Sequence, residues 1–83
     1  MTNGMTQELA RIKDVGFGMK DANSPLLWFT VQSLSGESLQ GFWEENALKF
    51  IKDNDISNIK YLEGAVCIIE TDNGIQRVIG LFK

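Results

Sequence analysis

The chain has 83 residues, 43% of them hydrophobic, and a net charge of −3 from eight Lys plus Arg against eleven Asp plus Glu. Its 31 large apolar residues (Val, Ile, Leu, Met, Phe, Trp and Tyr) suffice for one core and one domain, and the scattered cations form no basic stripe of the kind that gives nucleic-acid binding most of its affinity. With no His and one Cys, the usual Ser-His and Cys-His nucleophile pairs, the commonest metal ligand and any intrachain disulfide are excluded.

Residues 1–8 are polar and read as a flexible N-terminus, leaving 9–83 as a single domain. No segment approaches the roughly 20 apolar residues of a membrane span, and a lone Cys in a short chain argues for a reducing compartment, so a cytoplasmic setting is expected. The first extended segment, about Leu9 to Met19, alternates at Val15, Phe17 and Met19 with Gly16 and Gly18 between them. It reads as one strand with a bulge near Lys13-Asp14; the alternative is a short helix capped by Thr6, with Leu9 and Ile12 on one face and Gly16 ending it. Gly16-Phe17-Gly18 lacks the third glycine and following helix of a phosphate-binding loop, and reads as strand glycines that ease curvature or a close approach. Lys20 to Pro25 is turn-like.

From Leu26 to Leu34 the chain is rich in β-formers, with Leu27, Phe29 and Val31 on one face and Trp28, Thr30 and Gln32 on the other. Ser35-Gly36-Glu37 turns it into a shorter strand, Ser38 to Phe42, closing a first hairpin. After Trp43 the period becomes helical: Glu44 to Asn54 sets Ala47, Leu48 and Ile51 on one stripe with Phe50 beside it. Glu44 and Glu45 in the first turn and Lys49 and Lys52 near the last complement the helix dipole. Asn54-Asp55 ends the helix, and Ile56, Ile59 and Leu62 at three-residue spacing predict a short 3₁₀ or α turn before Glu63-Gly64.

The last nineteen residues predict a second hairpin, Ala65 to Thr71 and Gln76 to Phe82, turned by Asn73-Gly74, both of which must take φ > 0. Its register sets Thr71 against Gln76, Glu70 against Arg77 as a cross-strand ion pair, Ile69 against Val78, Ile68 against Ile79 and Val66 against Leu81. Val66, Ile68, Ile79 and Leu81 would share one face and Ile69, Val78 and Phe82 the other, so both faces are expected to be covered. The order strand, strand, strand, helix, strand, strand predicts an α+β domain: a five-stranded, mostly antiparallel curved sheet, or a small partly open barrel, with one helix.

An opening strand, Gly41-Phe42 leading into a helix, and Leu62-Glu63-Gly64-Ala65-Val66-Cys67 before a turn and a terminal strand together resemble small phage and prophage-encoded proteins of unknown function. The resemblance spans most of residues 9–83. It implies a bacterial cytoplasmic setting and no known activity, and it supplies no catalytic residue to carry over.

Catalytic candidates are sparse. Cys67, between Val66 and Ile68, is expected to be a buried, inert thiol. Glu44 and Glu45 point about 100° apart on a helix and serve its N-terminus rather than forming a dyad. Asp53 and Asp55 lack the six or more oxygens of a hard-cation site. No enzyme activity, metal or cofactor is therefore expected. Recognition by surface aromatics remains, with Trp28, Phe42 and Trp43 as the candidate interaction surface. The leading expectation is a protein-binding module, such as a phage accessory or counter-defence (anti-CRISPR-like) protein that occludes a host protein. A single-stranded nucleic-acid binder that stacks bases on the two Trp, and a homo-oligomeric structural module, are the alternatives.

Overall fold

The computed structural model describes residues 6–18, 21 and 23–82. Met1–Met5, Met19, Lys20 and Ala22, parts of the expected flexible terminus, first strand and turn, lie outside the described residues. The elements run β1 (Thr6–Phe17), β2 (Leu27–Ser33), β3 (Gly36–Phe42), α1 (Glu44–Asp53), a 3₁₀ turn (Ile59–Leu62), β4 (Val66–Asp72) and β5 (Ile75–Leu81). The five strands form one antiparallel sheet in the order β3-β2-β1-β4-β5. It curls into a half-barrel with the helix against it, which is the expected α+β architecture.

The first segment is a strand, not a helix, and it starts earlier than expected: Thr6, Gln7 and Glu8 pair with Thr71, Glu70 and Ile69. The expected bulge is present. Register against β2 shifts between Lys13 and Gly16, and Asp14 takes φ +57°. A bulge leaves backbone groups without ladder partners, and here the Glu63 carboxylate accepts from the Asp14 and Val15 amides at 3.0 and 3.1 Å. Gly64 extends the same clamp, donating to the Ile12 carbonyl while its own carbonyl accepts from Arg11. The first hairpin turns at Leu34-Ser35, one residue before the expected Ser35-Gly36-Glu37, because Ser33 pairs with Gly36.

One concave face makes the core. Ala10 and Ile12 of β1, Leu27, Phe29 and Val31 of β2, and Cys67 and Ile69 of β4 are buried there against Ala47 and Phe50 of α1 and Leu62 of the 3₁₀ turn. The helix presents a different stripe from the expected Ala47, Leu48 and Ile51: Ala47 and Phe50 are buried, and Leu48 is exposed. Phe50 is drawn in by an aromatic cluster, its ring centroid 4.8 Å from Phe42 and 6.0 Å from Phe29. That contact rotates Leu48 toward solvent. At the helix end Asn54 donates from Nδ2 to the Phe50 carbonyl at 2.9 Å and accepts at Oδ1 from the Leu81 amide at 3.1 Å, fastening α1 to β5.

The terminal hairpin keeps the expected register near its turn. Thr71 pairs with Gln76, Glu70 with Arg77 and Ile69 with Val78, and the Arg77–Glu70 ion pair forms at 2.9 Å. Beyond Ile69 the expectation fails: Ile68 faces Gly80 and Cys67 faces Leu81, not Ile68 with Ile79 and Val66 with Leu81. A bulge places the extra residue in β5, which detaches Ile79 from the ladder and changes the face to which Leu81 belongs. Asn73 and Gly74 take φ +54° and +83°, as their turn requires. Gly74→Val should cost about 1–3 kcal/mol, because a β-branched residue is strained at that φ and space is not the obstacle. Chemical denaturation checks this, and an unchanged midpoint would contradict it.

Candidate functional site

The three expected surface residues fall in different environments. Trp28 is half-buried on the convex outer face of β2, where its indole lies over Gly16 of β1 and its strand partner on the other side is Gly41 of β3. Trp43 is 51% exposed just before α1; its Nε1 donates to the Asn23 carbonyl at 3.2 Å, and its ring edge covers Gly41 together with Pro25. The two Trp thus flank the same glycine. Phe42 does not join them, since it alternates to the concave face and packs against Phe29 and Phe50.

Another apolar surface lies elsewhere on the outer face, and the expectation that both hairpin faces would be covered is overturned there. Leu9 pairs with Ile68, Arg11 pairs with Val66, and the Phe82 amide bonds the Val66 carbonyl. These contacts gather Leu9, Val66, Ile68 and Phe82, and Leu34 at the first hairpin turn lines the same shallow hollow as Leu9 and Val66. Leu9 and Phe82 are 52% and 56% exposed, and Leu34 is fully exposed. The helix and the 3₁₀ turn both cover the concave side, so no described element lies over this patch. The two apolar faces of the hairpin were the signal for it in the sequence; among the described residues no second helix covers the outer one.

A second concavity opens along the seam between the sheet's two edge strands. It is an open cleft of about 750 Å³ between these strands and α1, lined by Phe42, Phe50, Val78 and Ile79 together with Gln40, Asn54, Arg77 and the Lys49–Asp53 pair.

Little in either surface is chemically reactive. Cys67 is wholly buried in β4 and desolvation pushes its thiol up to about 11. Thiol reagents should therefore label the native protein far more slowly than the unfolded chain, and rapid labelling under native conditions would contradict the burial. On the polar mouth of the half-barrel, Glu8 accepts from the hydroxyl of Ser35, and the Ser35 and Ser33 hydroxyls hold its carboxyl below the usual range. Among the described residues no group of three or more His, Cys, Asp or Glu is placed to hold a metal ion, and no helix is long and apolar enough to cross a membrane. No protein-family model, curated protein or solved structure matches the chain.

Proposed function

We propose that this chain is a non-catalytic protein-binding module, of the kind a phage or prophage uses to occlude a host protein in the bacterial cytoplasm. The observation that supports this reading is the bare apolar patch of Leu9, Leu34, Val66, Ile68 and Phe82 on the outer sheet face. Contiguous exposed apolar surface is selected against in a monomer unless a partner uses it, and a few such anchors carry most of an interface's free energy. Trp43, half-exposed beside Pro25, adds an aromatic anchor further along the sheet.

The test is capture from bacterial lysate with the wild-type chain and with the double variant Leu9→Ser, Leu34→Ser. The reading expects a specific protein retained by wild type and lost by the variant, with the variant's unfolding midpoint little changed because Leu34 is at a turn tip. Binding should vary little with salt. A chain that instead binds oligonucleotides and loses roughly 10³–10⁵ in affinity between 50 and 200 mM salt would replace this reading with the base-stacking one.

A further inference from the structure

We infer that the outer-face patch takes a partner segment that is both acidic and apolar: a large apolar side chain enters the hollow beside Leu9, Leu34 and Val66, and a carboxylate about 7 Å away, two residues along a strand, pairs with Arg11. The inference rests on the protein-binding reading and names the chemistry of the partner that the same patch selects.

Arg11 belongs to the patch by strand geometry. Ala10 and Ile12 turn into the core, so by alternation Leu9 and Arg11 project together from the convex side of β1. Across the ladder Leu9 stands beside Ile68, and Arg11 beside Val66. The hollow is lined by Leu9, Leu34 and Val66 with the neutral Gln32 and Ser33, and Arg11 is the one lining residue that carries a charge.

That charge is unmatched. Elsewhere on the outer face Lys13 pairs with Glu37 at 3.0 Å and Arg77 with Glu70 at 2.9 Å. Among the described residues Arg11 has no carboxylate within ion-pair distance, and its one hydrogen bond runs from Nη1 to the neutral Gly64 carbonyl at 2.7 Å. The bond holds the guanidinium in place while most of its N–H donors stay open, so a carboxylate can be met bidentately with little further ordering of the side chain.

Charge complementarity selects the occupant. A second copy of this chain would bring its own patch, whose bordering carboxylates, Glu37 and Glu70, are already taken by Lys13 and Arg77. A phosphate backbone calls for several cations, and the hollow offers one Arg among apolar side chains. A protein segment with an apolar anchor and a carboxylate on the same side satisfies both the hollow and the guanidinium. Residues two apart on an extended strand, or four apart on a helix, give that spacing. With a single ion pair at its edge, such an interface draws most of its free energy from the apolar anchor and keeps a shallow salt dependence.

The probe is a displayed library of random dodecapeptides selected against the full-length protein, followed by amide chemical-shift mapping of the selected peptides on isotope-labelled protein. Selected peptides should carry Asp or Glu at a fixed spacing from a Leu, Phe or Trp, and shifts should concentrate at Leu9, Arg11 and Val66. Arg11→Met keeps the aliphatic stem and should weaken their binding about three- to thirtyfold, between the worth of an exposed ion pair and that of a desolvated one. Changing the peptide's carboxylate to the amide should cost the wild type as much and Arg11→Met almost nothing, and the wild-type half of that comparison leaves the protein untouched. Recovery of no binder, neutral or basic peptides, equal affinity for carboxylate and amide peptides, or shifts centred away from Leu9 and Val66 would overturn the inference. So would a dimer in sedimentation equilibrium that Leu9→Ser dissolves, which would assign the patch to a second copy. Neutral peptides whose shifts still centre on Leu9 and Val66 would leave the protein-binding reading standing, whereas equal lysate capture by the wild type and by the Leu9→Ser, Leu34→Ser variant would overturn both.

Discussion

Gly16→Ala should destabilise the domain by about 1–3 kcal/mol, the range for a group forced into a filled site, although the change adds only one methyl group. Gly16 pairs with Trp28 across β1 and β2, and a Cβ at Gly16 would fall among the Cε2, Cζ2 and Nε1 atoms of the indole, far inside van der Waals contact. Either the ring leaves its seat, exposing apolar surface, or β1 moves off β2 beside the bulge that Glu63 stabilises. Gly41, the partner on the other side of Trp28, provides the control. A Cβ there would meet Pro25 and Trp43 at 3.4 Å, a contact at the edge of ordinary packing, so Gly41→Ala should cost well under the Gly16 value. A double-mutant cycle isolates the cause. If the clash is the mechanism, Gly16→Ala and Trp28→Ala together cost less than the sum of the two alone, by about 0.5–3 kcal/mol; simple additivity in urea melts would refute it.

The legibility of this fold in its sequence follows the range of the interactions. Local chemistry was readable: Asn73-Gly74 specified the terminal turn, and the register held for the three residue pairs it governs directly, down to the Arg77–Glu70 bond. It failed one pair later because a bulge in β5 obeys the curvature of the whole sheet, which the alternation of a single strand does not encode. The bulge in β1 was visible because the apolar positions change phase between Ile12 and Val15, both of which reach the core. Helix orientation was misread for the reverse reason. Amphipathicity favoured Leu48, but the concave face offered Phe29 and Phe42 as neighbours, and Phe50 gains more from them. Of the surfaces described, the outer patch had a trace in the two-sided apolar hairpin. The seam had none, since it depends on which strands end at the sheet edges.

Phe29→Ala should have the largest effect of any single truncation in the chain, about 3–5 kcal/mol. Phe29 is fully buried at the middle of β2, with its ring centroid 5.6 Å from Phe42 on the neighbouring strand and 6.0 Å from Phe50 on the helix. It is therefore the side chain through which the sheet holds α1. The helix has few other anchors, because Leu48 is exposed and Ala47 contributes only a methyl group. A domain of this size is stable by about 4–12 kcal/mol, at 0.05–0.15 kcal/mol per residue, so the loss approaches the threshold for folding. Phe29→Leu, which restores much of the volume without the ring, should cost less than about 2 kcal/mol. Leu34→Ala, an equally apolar truncation at the exposed turn, should stay within about 0.5 kcal/mol. Urea midpoints in the order Leu34→Ala, Phe29→Leu, Phe29→Ala, with helical circular dichroism falling in the last, would show that the three-ring cluster anchors the helix. A Phe29→Ala midpoint no lower than that of Leu34→Ala would mean that Asn54 and the chain connections on either side hold α1 without it.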